Sequence, residues 1–116
     1  GELLARVEAQ LWRQAVVSEV AVATEAMMVG VVETGSAQSL ARNNLTVGAK
    51  TGTAEIDTFS GAEDTHAWVI AFAGPSGGEP EFALAVIVEA VPGQGQQTGG
   101  AVAGPIAASL IDTHFG

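Results

Sequence analysis

Apolar residues along the chain change their period from segment to segment, and those changes outline its elements. Over residues 19–33, Val20, Ala23, Met27 and Val31 recur at helical spacing. Val22, Ala26, Val29 and Val32 fill much of the remaining arc, so the pattern predicts a helix buried on most sides. Ser18 is the expected N-cap, followed by Glu19 where the helix dipole favours an anion. Gly35 is the expected terminator, as a residue able to take a left-handed conformation. Before this helix, Leu4, Val7 and Leu11 have a three-then-four spacing that permits a short helix over residues 1–14, with an extended lead-in as the alternative.

The next segments carry strand signals. Residues 36–46 are polar and contain Asn43-Asn44, a loop signal. Residues 47–56 form the first predicted strand, and residues 57–65, with Ser60-Gly61 and three acids, a surface connection. Residues 66–73 are nearly continuous in apolar side chains, which predicts a strand buried on both faces. Gly74-Pro75-Ser76-Gly77-Gly78-Glu79-Pro80 is a turn. Residues 81–89 predict a third strand, with Phe82, Leu84, Val86 and Val88 on one face. The smaller Ala83, Ala85 and Ile87 lie on the other face, which suggests that a helix packs closely there. A Gly/Gln-rich loop over residues 91–97 leads to a closing helix ending near Thr113, with Thr98 as its candidate cap. Pro105 predicts a kink or delayed start. The order is helix, three strands, helix, and the short connections make the strands antiparallel neighbours. The fold class is α+β, an antiparallel sheet flanked by helices.

Composition narrows the class of partner. The chain has 116 residues, enough for one small domain at most, and 47% of them are hydrophobic, too many for a disordered segment. A formal net charge of −9 with four basic residues argues against nucleic acid and anionic membrane surfaces. There is no cysteine, which excludes disulfides and thiolate metal sites and accords with an extracytoplasmic bacterial protein. No signal peptide and no apolar run of membrane-spanning length occurs in the sequence.

The candidate chemistry centres on the only lysine. In Lys50-Thr51-Gly52-Thr53 an ammonium, two hydroxyls and a side-chain-free position fall within four residues. On a strand, Lys50 and Gly52 share one face while Thr51 and Thr53 share the other. Gly52 lets a ligand approach the backbone. Such an edge suits a substrate carrying a carboxylate and a carbonyl.

Lys50-Thr51-Gly52-Thr53-Ala54-Glu55 resembles the third signature of the penicillin-recognising serine acyltransferases. With His66-Ala67-Trp68-Val69-Ile70-Ala71-Phe72 downstream, and Thr98-Gly99-Gly100 leading through Gly104-Pro105-Ile106 into the closing helix, the chain resembles the transpeptidase domain of class B penicillin-binding proteins. The resemblance runs over residues 11–115. Departures are Ala71, where many members have glycine, Val69 in place of an aromatic, and Gly74 inserted before Pro75.

The resemblance implies a role for each residue of the motif. Lys50 would set positive potential and join the hydrogen-bond network of a Ser-x-Asn serine. Thr51 and Thr53 would offer hydroxyls to the carboxylate of a D-Ala-D-Ala peptide end, or of a β-lactam antibiotic that mimics it. Gly52 would keep the edge clear, and the Thr53 N–H would be one of two oxyanion donors, each worth about 3 kcal/mol in such sites. Lys50 and Thr53 are thus the catalytic candidates, and Thr51, Gly52 and Thr53 the substrate-binding ones. No metal or cofactor is implied.

The family's Ser-x-x-Lys is not in this sequence, because Val47 lies three positions before Lys50, and no serine has asparagine two positions on. The resemblance therefore implies that residues 1–116 are the C-terminal portion of one transpeptidase domain. The remainder of that domain would supply the nucleophile, and the whole would sit at the extracytoplasmic face of a bacterial membrane. A sheet edge and two helices left without part of their cover predict that this portion is not independently stable.

Other residues carry alternatives. His66 has the type for a general base, and with Glu55, Asp57, Glu63 and Asp64 for a metal site. The preferred reading is that His66 opens a strand and the acids solvate a loop. Trp68 is assigned to the core, or else to a shelf under the Lys50 strand. Met27 and Met28 are assigned to helix packing, His114 to an inert exposed position, and the glycine-rich residues 93–100 to a mobile loop near the cleft. Three functions stay open: a peptidoglycan D,D-transpeptidase, a class D-like β-lactamase or β-lactam sensor, and a scaffold of the same fold without chemistry.

Overall fold

The computed structural model describes residues 8, 10–56 and 63–116. Its elements are α1 (Ser18–Thr34), a 3₁₀ turn (Gln38–Leu40), β1 (Leu45–Glu55), β2 (Thr65–Pro75), β3 (Phe82–Val88), a π-helical turn (Gly99–Ala103) and α2 (Gly104–Phe115). The three strands form one antiparallel sheet in the order β1-β2-β3. The predicted sequence of helix, three strands and helix is therefore present, with each strand within two residues of its expected bounds. Residue 8 and residues 10–14 are not helical, and the rest of the proposed N-terminal helix lies outside the described residues.

Register decides which side chains meet the core. Lys50 lies opposite Ile70, Thr51 opposite Val69, and Val69 opposite Val86. Alternation then gives one face Val47, Ala49, Val69, Ala71, Leu84 and Val86. This face packs on Leu40 of the 3₁₀ turn, on Ala103, and on Ala107 and Ile111 of α2. Ile111 and Leu40 are fully buried, and truncating such a side chain to Ala costs about 2–5 kcal/mol. The other face carries Gly48, Lys50 and Gly52 of β1 beside Trp68, Ile70 and Phe72 of β2. A Cβ at Gly48 would lie 2.2 Å from the Phe72 ring, so only glycine lets that aromatic cross the strand.

Several expectations are corrected. β2 is not buried on both faces: Ala67, Val69, Ala71 and Ala73 are buried, while Trp68 and Ile70 are exposed. Ala83, Ala85 and Ile87 are exposed too, with no helix among the described residues packed closely over them. In α1 only Val32 is buried, and Met27 is 65% exposed, so this helix carries far more apolar surface than is covered. The cap of α1 is Val17, and Ser18 is already its first helical residue. Gly35 ends α1 at φ −104°, not in the left-handed region; glycine is needed because an added Cβ would lie 2.8 Å from the Val31 carbonyl oxygen. Thr98 makes no capping bond. It precedes the π-helical turn, and α2 starts at Gly104 with Pro105 in its first turn, the delayed start that the proline predicts.

Arg42 ties the 3₁₀ segment to α2. Its Nε donates to Asp112 Oδ1 at 2.6 Å and its second terminal nitrogen to Oδ2 at 2.8 Å. This two-point bond is the main reason the Asp112 carboxyl lies below its ordinary range and the guanidinium above its own.

Candidate active site

The outer edge of β1 is the centre of the candidate site. Ladder parity sets its direction: Ile56 donates to the Asp64 carbonyl, and Asn44 accepts from Ser76. Both flanking bonds belong to even-numbered β1 positions in the same register, so the ladder to β2 uses even-numbered residues. The backbone N–H and C=O groups of Thr51 and Thr53 accordingly turn to the outer edge, which pairs with no strand among the described residues. Lys50 and Gly52 project to one side of this edge, Thr51 and Thr53 to the other. The Lys50 ammonium folds back to donate to the Thr51 carbonyl. Beside it lies an apolar recess lined by Thr24, Met27, Met28, Val31 and Ile70. Among the described residues, no carboxylate lies within ion-pair distance of Lys50.

Thr51 meets two other segments. Its hydroxyl oxygen is 2.6 Å from the Ser36 hydroxyl, in the loop that follows α1. Beneath the edge run Gly99 and Gly100. A Cβ on Gly99 would lie 2.1 Å from the Trp68 carbonyl oxygen and 2.7 Å from that of Gly52. One on Gly100 would lie 2.3 Å from the Ser36 carbonyl oxygen. These approaches leave no room for a side chain, so the diglycine forms a flat shelf under Gly52.

That shelf is delivered by a tethered loop. Asp64 is fully buried, and its carboxylate accepts the amides of Gly93 at 2.9 Å and Gly95 at 2.8 Å. Both glycines have positive φ, +83° and +76°, which turns their N–H groups inward around one anion. Thr65, also buried, closes a two-way bond with the Gln97 backbone: its hydroxyl donates to the carbonyl at 2.9 Å and accepts the amide at 2.7 Å. The loop expected to be mobile is thus fastened at Gly93, Gly95 and Gln97.

The model of the penicillin binding protein transpeptidase domain matches residues 4–112. The chain belongs to the penicillin-binding protein transpeptidase family. It is 39% identical over 100 residues to the peptidoglycan D,D-transpeptidase PbpA of Mycobacterium tuberculosis, a match covering 86% of this chain and 20% of that protein. The PbpA of Mycolicibacterium smegmatis is 38% identical over 99 residues, covering 85% and 20%. A ceftriaxone acyl-enzyme complex of penicillin-binding protein A from M. tuberculosis superposes with a TM-score of 0.69 at 36% identity, covering 87% of this chain and 22% of that one. A second crystal structure of that protein gives 0.67 at the same identity. The chain spans about a fifth of the length of the curated relatives it matches.

In this penicillin-binding protein family member, Lys50, Thr51, Gly52 and Thr53 stand together on one strand edge, Lys50 and Gly52 on the side opposite the two threonines. Among the described residues the acids do not assemble around His66. Asp64 is turned inward onto glycine amides instead of solvating a loop, Glu63 accepts from the Gln96 side chain at 2.7 Å, and Asp57 lies outside the described residues. His66 Nδ1 accepts the Ala90 amide at 2.8 Å. Trp68 is 39% exposed, so it is not core; its Cβ is 3.3 Å from where one on Gly52 would stand, the shelf position beside the motif strand. His114 is exposed yet stacks on Phe82 with ring centroids 4.3 Å apart. Sequence reasoning missed Ser36 and the structural use of Asp64 and Thr65. A Gly-x-Gly at residues 93–95 was the one available signal for an anion held by backbone amides.

Proposed function

We propose that this chain supplies the Lys-Thr-Gly wall of a serine acyl-transfer site that cross-links peptidoglycan stem peptides. The observation that carries the reading is the outer edge of β1, where Thr53 turns its N–H outward between the ammonium of Lys50 and the two threonine hydroxyls. An acyl donor ending in D-Ala-D-Ala laid along this edge would set its carboxylate at Thr51 and Thr53. Its scissile carbonyl would lie at the Thr53 amide, where oxyanion charge develops during attack. Lys50 would add positive potential without contacting the carboxylate itself. It favours deprotonation of a neighbouring hydroxyl in the transition state and stabilises the charge that follows. β-Lactam antibiotics, which carry a carboxylate beside a strained amide, would use the same contacts and leave a stable acyl-enzyme.

The nucleophile, its Ser-x-x-Lys lysine and the Ser-x-Asn group belong in this reading to the remainder of the same transpeptidase domain. The exposed apolar positions Val20, Met27, Trp68, Ile70 and Ile87 suit contact with that remainder. The site works at the extracytoplasmic face of the membrane, with no nucleic acid or metal in the reaction. No helix among the described residues is long and apolar enough to cross a membrane.

Intact-mass spectrometry of the complete domain, before and after exposure to benzylpenicillin, tests the reading. It expects a persistent adduct of one ring-opened penicillin on a serine outside this chain, formed far more slowly in Lys50→Ala. A transient adduct with steady drug consumption would instead favour a β-lactamase. A folded domain that forms no adduct would make it a scaffold.

A further inference from the structure

We propose that Ser36 is a positioning residue for the substrate carboxylate, acting as a hydroxyl pair with Thr51; the inference rests on the transpeptidase reading above. Ser36 belongs to none of the motifs that define the strand edge, and it reaches that edge from the loop behind α1. Its Oγ lies 2.6 Å from Thr51 Oγ1. Two hydroxyls carry two protons, and one bond between them consumes only one. Whichever oxygen donates to the other, a single O–H always remains to point outward.

A carboxylate is an acceptor only, so it selects the arrangement in which Ser36 donates to Thr51 and Thr51 donates to the ligand. Donation from Ser36 polarises the Thr51 hydroxyl and strengthens the bond it gives to an anion. The pair also holds the Thr51 side chain in one orientation, where a lone threonine hydroxyl alternates between rotamers. Ser36 is exposed and Thr51 half-buried, which leaves the outward proton accessible from the open edge.

The pairing is built into the backbone. A Cβ at Gly100 would stand 2.3 Å from the Ser36 carbonyl oxygen, so only a glycine there admits the Ser36 backbone at its present position, with the Thr51 methyl at ordinary contact distance beside it. The tether at Asp64 and Thr65 holds the loop that brings Gly100 to this position. The ligand class that fits is a peptide ending in a carboxylate, or a bicyclic lactam with a carboxylate at the same distance from its reactive carbonyl.

The test is the second-order rate of acylation of the complete domain by benzylpenicillin, compared with its methyl ester, which lacks the anion. Ser36→Ala is expected to slow the acid about tenfold more than the ester, equivalent to about 1.4 kcal/mol. Ser36→Thr, which keeps a hydroxyl, should recover most of that loss, and Ser36→Ala should add nothing on a Thr51→Val background. Equal slowing of acid and ester, or an unaltered rate with the acid, would overturn the pair. Thermal melts accompany each variant; should Ser36→Ala misfold, the near-isosteric Ser36→Cys, whose thiol is a weak donor, takes its place in the same acid-to-ester comparison. An unsubstituted domain that forms no adduct would remove the transpeptidase reading and this inference together. Normal acylation of the parent with an indifferent Ser36→Ala would remove this inference alone.

Discussion

The carboxylate of Asp64 receives the Gly95 amide at 2.8 Å across 31 positions of chain, joining the start of β2 to the loop that follows β3. Removing it takes away a charge-assisted acceptor from two amides, one on exposed Gly93 and one on half-buried Gly95. Asp64→Ala is therefore expected to destabilise the complete domain by about 2–3 kcal/mol. Asp64→Asn, which keeps one acceptor oxygen, should lose about half as much. Urea denaturation reads the difference, and an Ala variant as stable as the parent would show that the tether contributes nothing.

The diglycine shelf gives a sharper contrast. Gly99→Ala places a methyl against two backbone oxygens that cannot rotate away, so a backbone shift costing about 1–3 kcal/mol is expected. Penicillin acylation should slow with it, because Gly52 moves. Gly77 has φ +76° but open space around its Cα, and Gly77→Ala should cost about 1–2 kcal/mol with the acylation rate unchanged. Paired melts and adduct kinetics separate the two effects.

Lys50 is exposed and has no carboxylate partner among the described residues, so it has little to contribute to stability. Lys50→Ala should shift the unfolding free energy by less than about 0.5 kcal/mol. The acylation rate should fall by about 10²-fold or more, the loss typical of an electrostatic group acting on the transition state. Lys50→Arg should recover only part of it, since a planar guanidinium cannot take the folded-back position of a compact ammonium. A stable variant acylated at the parent rate would refute the role given to this residue.

The Arg42–Asp112 bond sets a pH dependence of stability. The Asp112 carboxyl is lowered, first by the hydrogen bond from Arg42, so the native state binds its proton less readily than the unfolded chain does. Its contribution is then fully present above the ordinary carboxylate pKa of about 3.9 and is lost as pH falls through the lower native value. Asp112→Asn should lower the melting temperature slightly at pH 7, because Asp112 is largely solvated. The gap to the parent should close below about pH 4. A gap that persists at low pH would assign the effect to packing.

Much of this framework was legible in the residues themselves. Alternation placed Phe82, Leu84, Val86 and Val88 together on one face of β3, though the smaller residues opposite pointed to helix cover on the wrong side, and the placement of Lys50 opposite to Thr51 and Thr53 followed from strand geometry alone. The pattern was less informative about cover. The Val, Ala and Met residues of α1 establish that its surface is apolar, but periodicity does not say what lies against it, and only Val32 is buried. Trp68 and Ile70 misled in the same way. Asp64 and Ser36 were illegible for another reason: their partners lie 29, 31 and 15 positions away, beyond the reach of any local pattern. An acid in a polar stretch looks solvated until the fold brings glycine amides around it.

The pairing of β1 with β2 also determines where this chain tolerates a change of length. One residue added or deleted between Val47 and Thr53 would shift the strand by a single position. Lys50 would then point into the packed face, and Ala49 or Thr51 would take its place outside. Substitution can erode such a strand gradually; an insertion would abolish both faces at once. The turn around Gly77 and Gly78 is exposed on all sides and could grow or shrink without disturbing any pair in the ladder. Length variation among functional versions of this sequence should therefore concentrate in that turn and be absent from the motif strand.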